Sequence, residues 1–91
     1  MKAIITDFPT NTNWVQGVIG DYKFEAKLFD EGSEFGINKG RVSKLSIYDN
    51  SRNYICNYDR GWDIKVTKEY KEIFNSVMEV LENAPKRFED E

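Results

Sequence analysis

Two carboxylates, a guanidinium and two large rings fall within six residues, Tyr58-Asp59-Arg60-Gly61-Trp62-Asp63. The planar fork of Arg60 suits a carboxylate or a phosphate. Tyr58 or Trp62 suits stacking on a planar group. Asp59 and Asp63 suit ribose hydroxyls or a hard cation. A purely structural reading stands beside this one: Gly61 in a bulge, Trp62 plugging the core, Arg60 paired with Asp59 or Asp63. The run lies in a basic stretch. Residues 39–71 hold eight basic and four acidic side chains, net +4, between flanks of net −3 and −4. Lys65 and Lys68 precede or open a predicted helix, where cations oppose the macrodipole. Together with free backbone N–H groups they would cradle a phosphate. Alternatively, Glu69 and Glu72 neutralise them on a solvated face. The candidate contact set is Arg41, Lys44, Tyr58, Arg60, Trp62 and Asp63, joined by Lys65 and Lys68 if the ligand is a nucleotide.

Catalysis has little to build on. The chain has no histidine, which removes Ser-His and Cys-His pairs, a histidine base and histidine metal ligands. Its single cysteine, Cys56, excludes an internal disulfide and a multi-cysteine zinc site. Asp49, Asp59, Asp63 and Glu25 offer carboxylate pairs, but 16 acidic residues supply such pairs by chance. A hydrolase using these with a divalent cation is the weakest of the readings. Ser43 and Lys44 are adjacent, so on a strand they point to opposite faces. The glycines fit no phosphate-loop pattern. The expectation is a protein that is not an enzyme and takes no cofactor or metal.

The elements that must position these residues read as an α+β fold. Eight Ile and six Val against three Leu favour strands. Tyr22 to Leu28 alternates apolar and charged with period two, a half-buried strand. Trp14 to Ile19 precedes it across a Gly20-Asp21 hairpin turn. Further strands are predicted at Glu34–Ile37, Arg41–Tyr48 and Tyr54–Tyr58, with Gly40 in a left-handed turn position. From Thr67 the period becomes helical: Tyr70, Ile73, Phe74, Val77, Met78 and Leu81 form one stripe. Thr67 is the expected N-cap, and Pro85 stops the helix near Asn83. The prediction is one domain over 1–91: an antiparallel meander of about five strands over 14–58, one C-terminal helix over 67–83 on one face, and a frayed tail over 86–91. Tyr22, Phe24, Ala26, Leu28, Leu45 and Ile47 would meet the helix. The second sheet face would carry Lys23, Glu25 and Lys27, with some of Trp14, Tyr48, Tyr54 and Tyr58. Those aromatics point to a partner, a ligand or a second subunit; alternatively they pack side-on under loops.

The length, 91 residues, suits one modest core. No stretch approaches a membrane span or a signal-peptide core, so the expected place is the cytoplasm, with Cys56 reduced. The net charge of −3 and the lack of a recognition module argue against specific duplex nucleic acid.

The runs Phe29-Asp30-Glu31-Gly32-Ser33-Glu34-Phe35-Gly36-Ile37-Asn38-Lys39-Gly40-Arg41-Val42-Ser43-Lys44-Leu45 and Asn57-Tyr58-Asp59-Arg60-Gly61-Trp62-Asp63 resemble a family of short uncharacterised proteins of phages and prophages of Gram-positive bacteria. The resemblance spans Trp14 to Leu81. It implies a setting rather than a mechanism, and no catalytic residue comes with it. In that setting a small non-enzymatic protein acts by binding a host defence protein, or by sequestering a nucleotide signal, in the host cytoplasm. The rival expectation is a structural or virion-associated homo-oligomer joined through the second sheet face.

Overall fold

The computed structural model describes residues 1–87. Six strands form one antiparallel sheet in sequence order: β1 (Ile4–Asp7), β2 (Trp14–Ile19), β3 (Tyr22–Leu28), β4 (Val42–Tyr48), β5 (Tyr54–Asp59) and β6 (Trp62–Ile64). A helix, α1 (Lys71–Glu82), follows. The α+β meander with one C-terminal helix is therefore as the hydrophobic pattern predicts. None of the described helices is long and apolar enough to cross a membrane.

The core follows the period-two pattern. Val15, Ile19, Phe24, Ala26, Leu28, Leu45 and Ile47 are buried on one face, and Val77 and Leu81 of α1 pack into the same cluster. Gly17 permits this packing. A Cβ there would lie 2.2 Å from the Phe24 ring and 2.4 Å from the Ile4 carbonyl oxygen. Gly20 turns β2 into β3 at φ +57°, the conformation glycine adopts without steric cost.

Several expectations are corrected. The meander has six strands, because Ile4–Asp7 and Trp62–Ile64 pair at its two edges. Glu34–Ile37 is not a strand. The Phe35 amide donates to Ser33 Oγ at 3.2 Å, and a short 3-10 turn covers Ile37–Lys39. Such local side-chain bonds compete with a ladder. Gly40 is not left-handed; Asn38 and Lys39 are, at φ +54° and +62°. Gly40 is instead pressed against the Glu82 carboxylate, which a Cβ would approach to 2.4 Å. Tyr58 joins the core rather than the open face. A bulge between Ile47 and Tyr48 leaves Ile55 without a cross-strand partner, so Ile55 and Cys56 are both buried and Tyr54 is left outside.

Helix α1 starts later than Thr67. Lys68–Tyr70 is a 3-10 turn, the Thr67 hydroxyl makes no capping bond, and Asn83 closes the far end. Arg87, expected in a frayed tail, is instead tied down. The Arg87 amide donates to Asp30 Oδ1 at 2.9 Å, and its guanidinium donates to the carbonyl oxygens of Leu28 at 2.6 Å, Asn13 at 2.8 Å, Pro9 at 3.1 Å and Trp14 at 3.2 Å. Residues 88–91 of that tail lie outside the described residues.

Candidate functional site

The uncovered sheet face has three rows of side chains. In the middle row Gln16 donates to Glu25 at 3.5 Å, Ser46 to Asn57 at 2.6 Å, and Asn57 to Asp63 at 3.0 Å. Toward one end, register sets Tyr48 beside Tyr54, their rings 5.8 Å apart edge to face. Toward the other end, register aligns Trp14, Lys27, Lys44 and Asp59.

That last row leads into a cleft of about 320 Å³ lined by Lys27, Phe29, Glu31, Ser33, Phe35, Ser43, Lys44 and Arg60. Its floor comes from a register shift between β3 and β4. Lys27 pairs with Lys44 and Leu28 with Val42, so Ser43 is an extra residue on its strand. Bulges re-aim side chains in this way. The Ser43 carbonyl then accepts the Arg60 amide at 3.1 Å, which seats the β5–β6 turn against the cleft. Phe29 and Phe35 come from the connection between β3 and β4. Phe35 keeps 56 % of its surface exposed, yet its backbone is fixed. Its carbonyl accepts Tyr58 Oη at 3.0 Å, Gly36 N donates to Ser33 O at 3.1 Å, and Ser33 N to Gly40 O at 3.1 Å.

The cleft is cationic. Lys27 Nζ lies 5.6 Å from the Phe29 ring centre and the Arg60 guanidinium 5.4 Å from that of Phe35. Lys44 pairs with Asp59 at 3.6 Å. The Glu31 carboxylate at the rim is taken by Lys86. Two local choices run against stability. Like charges directly opposite on neighbouring strands repel, and Lys27 and Lys44 are such a pair. Arg60 adopts φ +60° although the adjacent Gly61 does not take a positive φ and has open space around it. Non-glycine residues held left-handed cost on the order of 1–2 kcal/mol and cluster at functional sites.

Of the residues singled out in the sequence, Lys44 and Arg60 meet in this cleft. The others are placed elsewhere. The Arg41 guanidinium donates to the carbonyl oxygens of Phe29 at 2.8 Å, Glu82 at 3.0 Å and Ala84 at 2.6 Å, so it caps the end of α1. Tyr58 is buried and braces the Phe35 loop. Trp62 is half-buried between Tyr58, ring centres 5.1 Å apart, and Phe74, 5.6 Å. Asp63 accepts the Asn57 amide on the open face. Lys65 lines a different cavity, with Trp62, Val66 and Phe74. Lys68 stands exposed in the 3-10 turn before α1. Pattern reading missed Lys27, Phe29 and Phe35, and it set Ser43 aside as pointing away from Lys44, whereas both line the cleft. The available signal was Lys27, a charged residue in the most regular strand, but its cross-strand neighbour depends on register.

A larger groove, about 600 Å³, runs between the start of the chain and α1, lined by Ala3, Ile5, Phe8, Val80, Ala84 and Pro85 among others. Among the described residues, its charged side chains are Lys2 and Glu79. Small-molecule sites need several polar groups converging on the ligand, and the smaller cleft has them.

No curated protein and no solved structure matches the chain. Residues 13–82, which include every cleft residue from Lys27 to Arg60, match the model of a family described as "Domain of unknown function (DUF7678)", and the chain belongs to that family.

Proposed function

We propose that this protein is a non-enzymatic binding protein that captures a small anionic ligand in the cleft beside Phe29 and Phe35. One observation carries the reading: Lys27, Lys44 and Arg60 converge with two exposed rings in one cavity. Of the two partner classes open from the sequence, a host protein or an anionic nucleotide, the small concave cationic site favours the nucleotide. The resemblance to phage and prophage proteins supplies the setting: an accessory factor that antagonises host defence by sequestering a nucleotide in the host cytoplasm. Thermal-shift measurements against mono-, di- and cyclic nucleotides test the reading. Bound ligand raises stability by mass action, so the melting point should climb with concentration. Arg60→Asn, which suits the left-handed backbone while removing the charge, should lose that response and keep the unliganded melting point. No shift with any phosphate compound at millimolar concentration sinks the reading.

A second reading rests on the open face, where Ile4, Trp14 and Tyr54 are exposed. It makes the protein a structural, virion-associated homo-oligomer joined through that face. Light scattering separates the two, because a clean monomer at high micromolar concentration contradicts it.

A further inference from the structure

Resting on the anion-capture reading, we infer that the ligand is a free nucleoside 5′-monophosphate, its phosphate held by Lys27, Lys44 and Arg60 and its base against the Phe29 and Phe35 rings. Charge argues for the dianion. Three cations line the cleft, Asp59 offsets one, and Glu31 is already paired with Lys86. The remaining double positive charge matches a phosphate monoester, which carries roughly −1.5 to −2 at neutral pH. A cyclic phosphodiester carries a single negative charge and leaves a cation without a partner.

Shape argues for one nucleotide. The cavity of about 320 Å³ is at the small end of the roughly 300–1,000 Å³ typical of ligand sites. The rings argue for a base. Phe35 is held outward by a loop that its own backbone bonds immobilise, and Gly36 lets that loop close. A Cβ there would lie 1.9 Å from the Gly40 carbonyl oxygen. A rigid, exposed ring beside a guanidinium is a stacking platform that costs little ordering on binding. The neighbouring face argues against a polynucleotide end. Beyond the lysines it presents Glu25 and Asp63, which would repel a following phosphate.

Calorimetric titration of the whole chain tests this with five probes: adenosine 5′-monophosphate, ribose 5-phosphate, 3′,5′-cyclic AMP, inorganic phosphate and a 5′-phosphorylated trinucleotide. The monophosphate should bind at least tenfold more tightly than each of the others. Phe35→Ala, which leaves the accepting carbonyl in place, should reduce its affinity to that of ribose 5-phosphate, with the melting point unchanged. Equal binding of ribose 5-phosphate overturns the base contact, and equal binding of the cyclic ester overturns the dianion match. Tighter binding of the trinucleotide overturns the free nucleotide. In each of those three outcomes the anion-capture reading survives. Absence of binding by every probe overturns both.

Discussion

Lys27 and Lys44 face one another across β3 and β4, a like-charge pairing that opposes the fold. Cross-strand charge pairs contribute roughly 0.2–1 kcal/mol, with an unfavourable sign for like charges. Lys27→Thr should therefore raise the melting point by a few degrees and weaken nucleotide binding about tenfold. Thermal melting with and without ligand reads both effects, and unchanged nucleotide binding would contradict the assignment. Cys56 is the other residue with a pH-dependent consequence. It is buried in the core, and burial pushes its thiol from the usual 9.0 up to about 11. As pH rises past about 9 the unfolded chain loses this proton while the folded chain keeps it. Stability is thus complete below about pH 9 and declines toward about pH 11. Urea unfolding across that window should show the decline, and Cys56→Val should show less of it.

The elements are tied together by two arginines. Arg41 reaches from the start of β4 to the carbonyls that end α1, where a cation also complements the helix dipole. Arg87 gathers the carbonyls before β2 and at the end of β3, and its guanidinium lies 4.6 Å from the centre of the Phe8 ring. Burial nudges the Arg87 pKa down, against the opposing pull of Asp30, yet an arginine stays charged. Hydrogen bonds to charged groups are worth about 1.5–3 kcal/mol each, not additively. Arg87→Ala should cost about 2 kcal/mol or more, a fall of roughly 8 °C or more in a chain of this size. Arg87→Lys should not restore it, because an ammonium lacks the planar fork of five donors. Arg41→Ala should cost a similar amount and weaken nucleotide binding far less than Arg60→Asn does, measured by the same melts and titrations. From the sequence, Arg41 is one more member of a basic stretch and a plausible ligand contact. Only the fold brings the carbonyls of Phe29, Glu82, Ala84 and Pro85 to it.

At the scale of the molecule, one hydrophobic cluster joins every strand from β2 to β5 to α1 and takes in Ala3 at one edge, with Trp62 packing on it at the other. Domains of this size with one core unfold in a single step. Trp62 reports from the core face and Trp14 from the open face, so tryptophan fluorescence samples both. Its urea midpoint should coincide with that of far-ultraviolet circular dichroism. Two separated transitions would show that the sheet edge and the helix fold independently.

The alternation in Tyr22–Leu28 and the three-and-four spacing in Tyr70–Leu81 were enough to define the α+β meander, its hydrophobic face and its helix. Those features follow from local periodicity and from which side chains leave water. The absence of histidine and the single cysteine likewise bound the chemistry without any coordinates. The cleft was not legible in the same way. Lys27 meets Lys44 through register, Ser43 enters through a bulge, and Arg60 reaches the cleft from a left-handed position that glycine next door would have filled more easily. Each depends on which strands pair and where the pairing slips by one residue. Tertiary contacts alone separated two arginines of one chemistry into a structural clasp, Arg41, and a candidate ligand contact, Arg60.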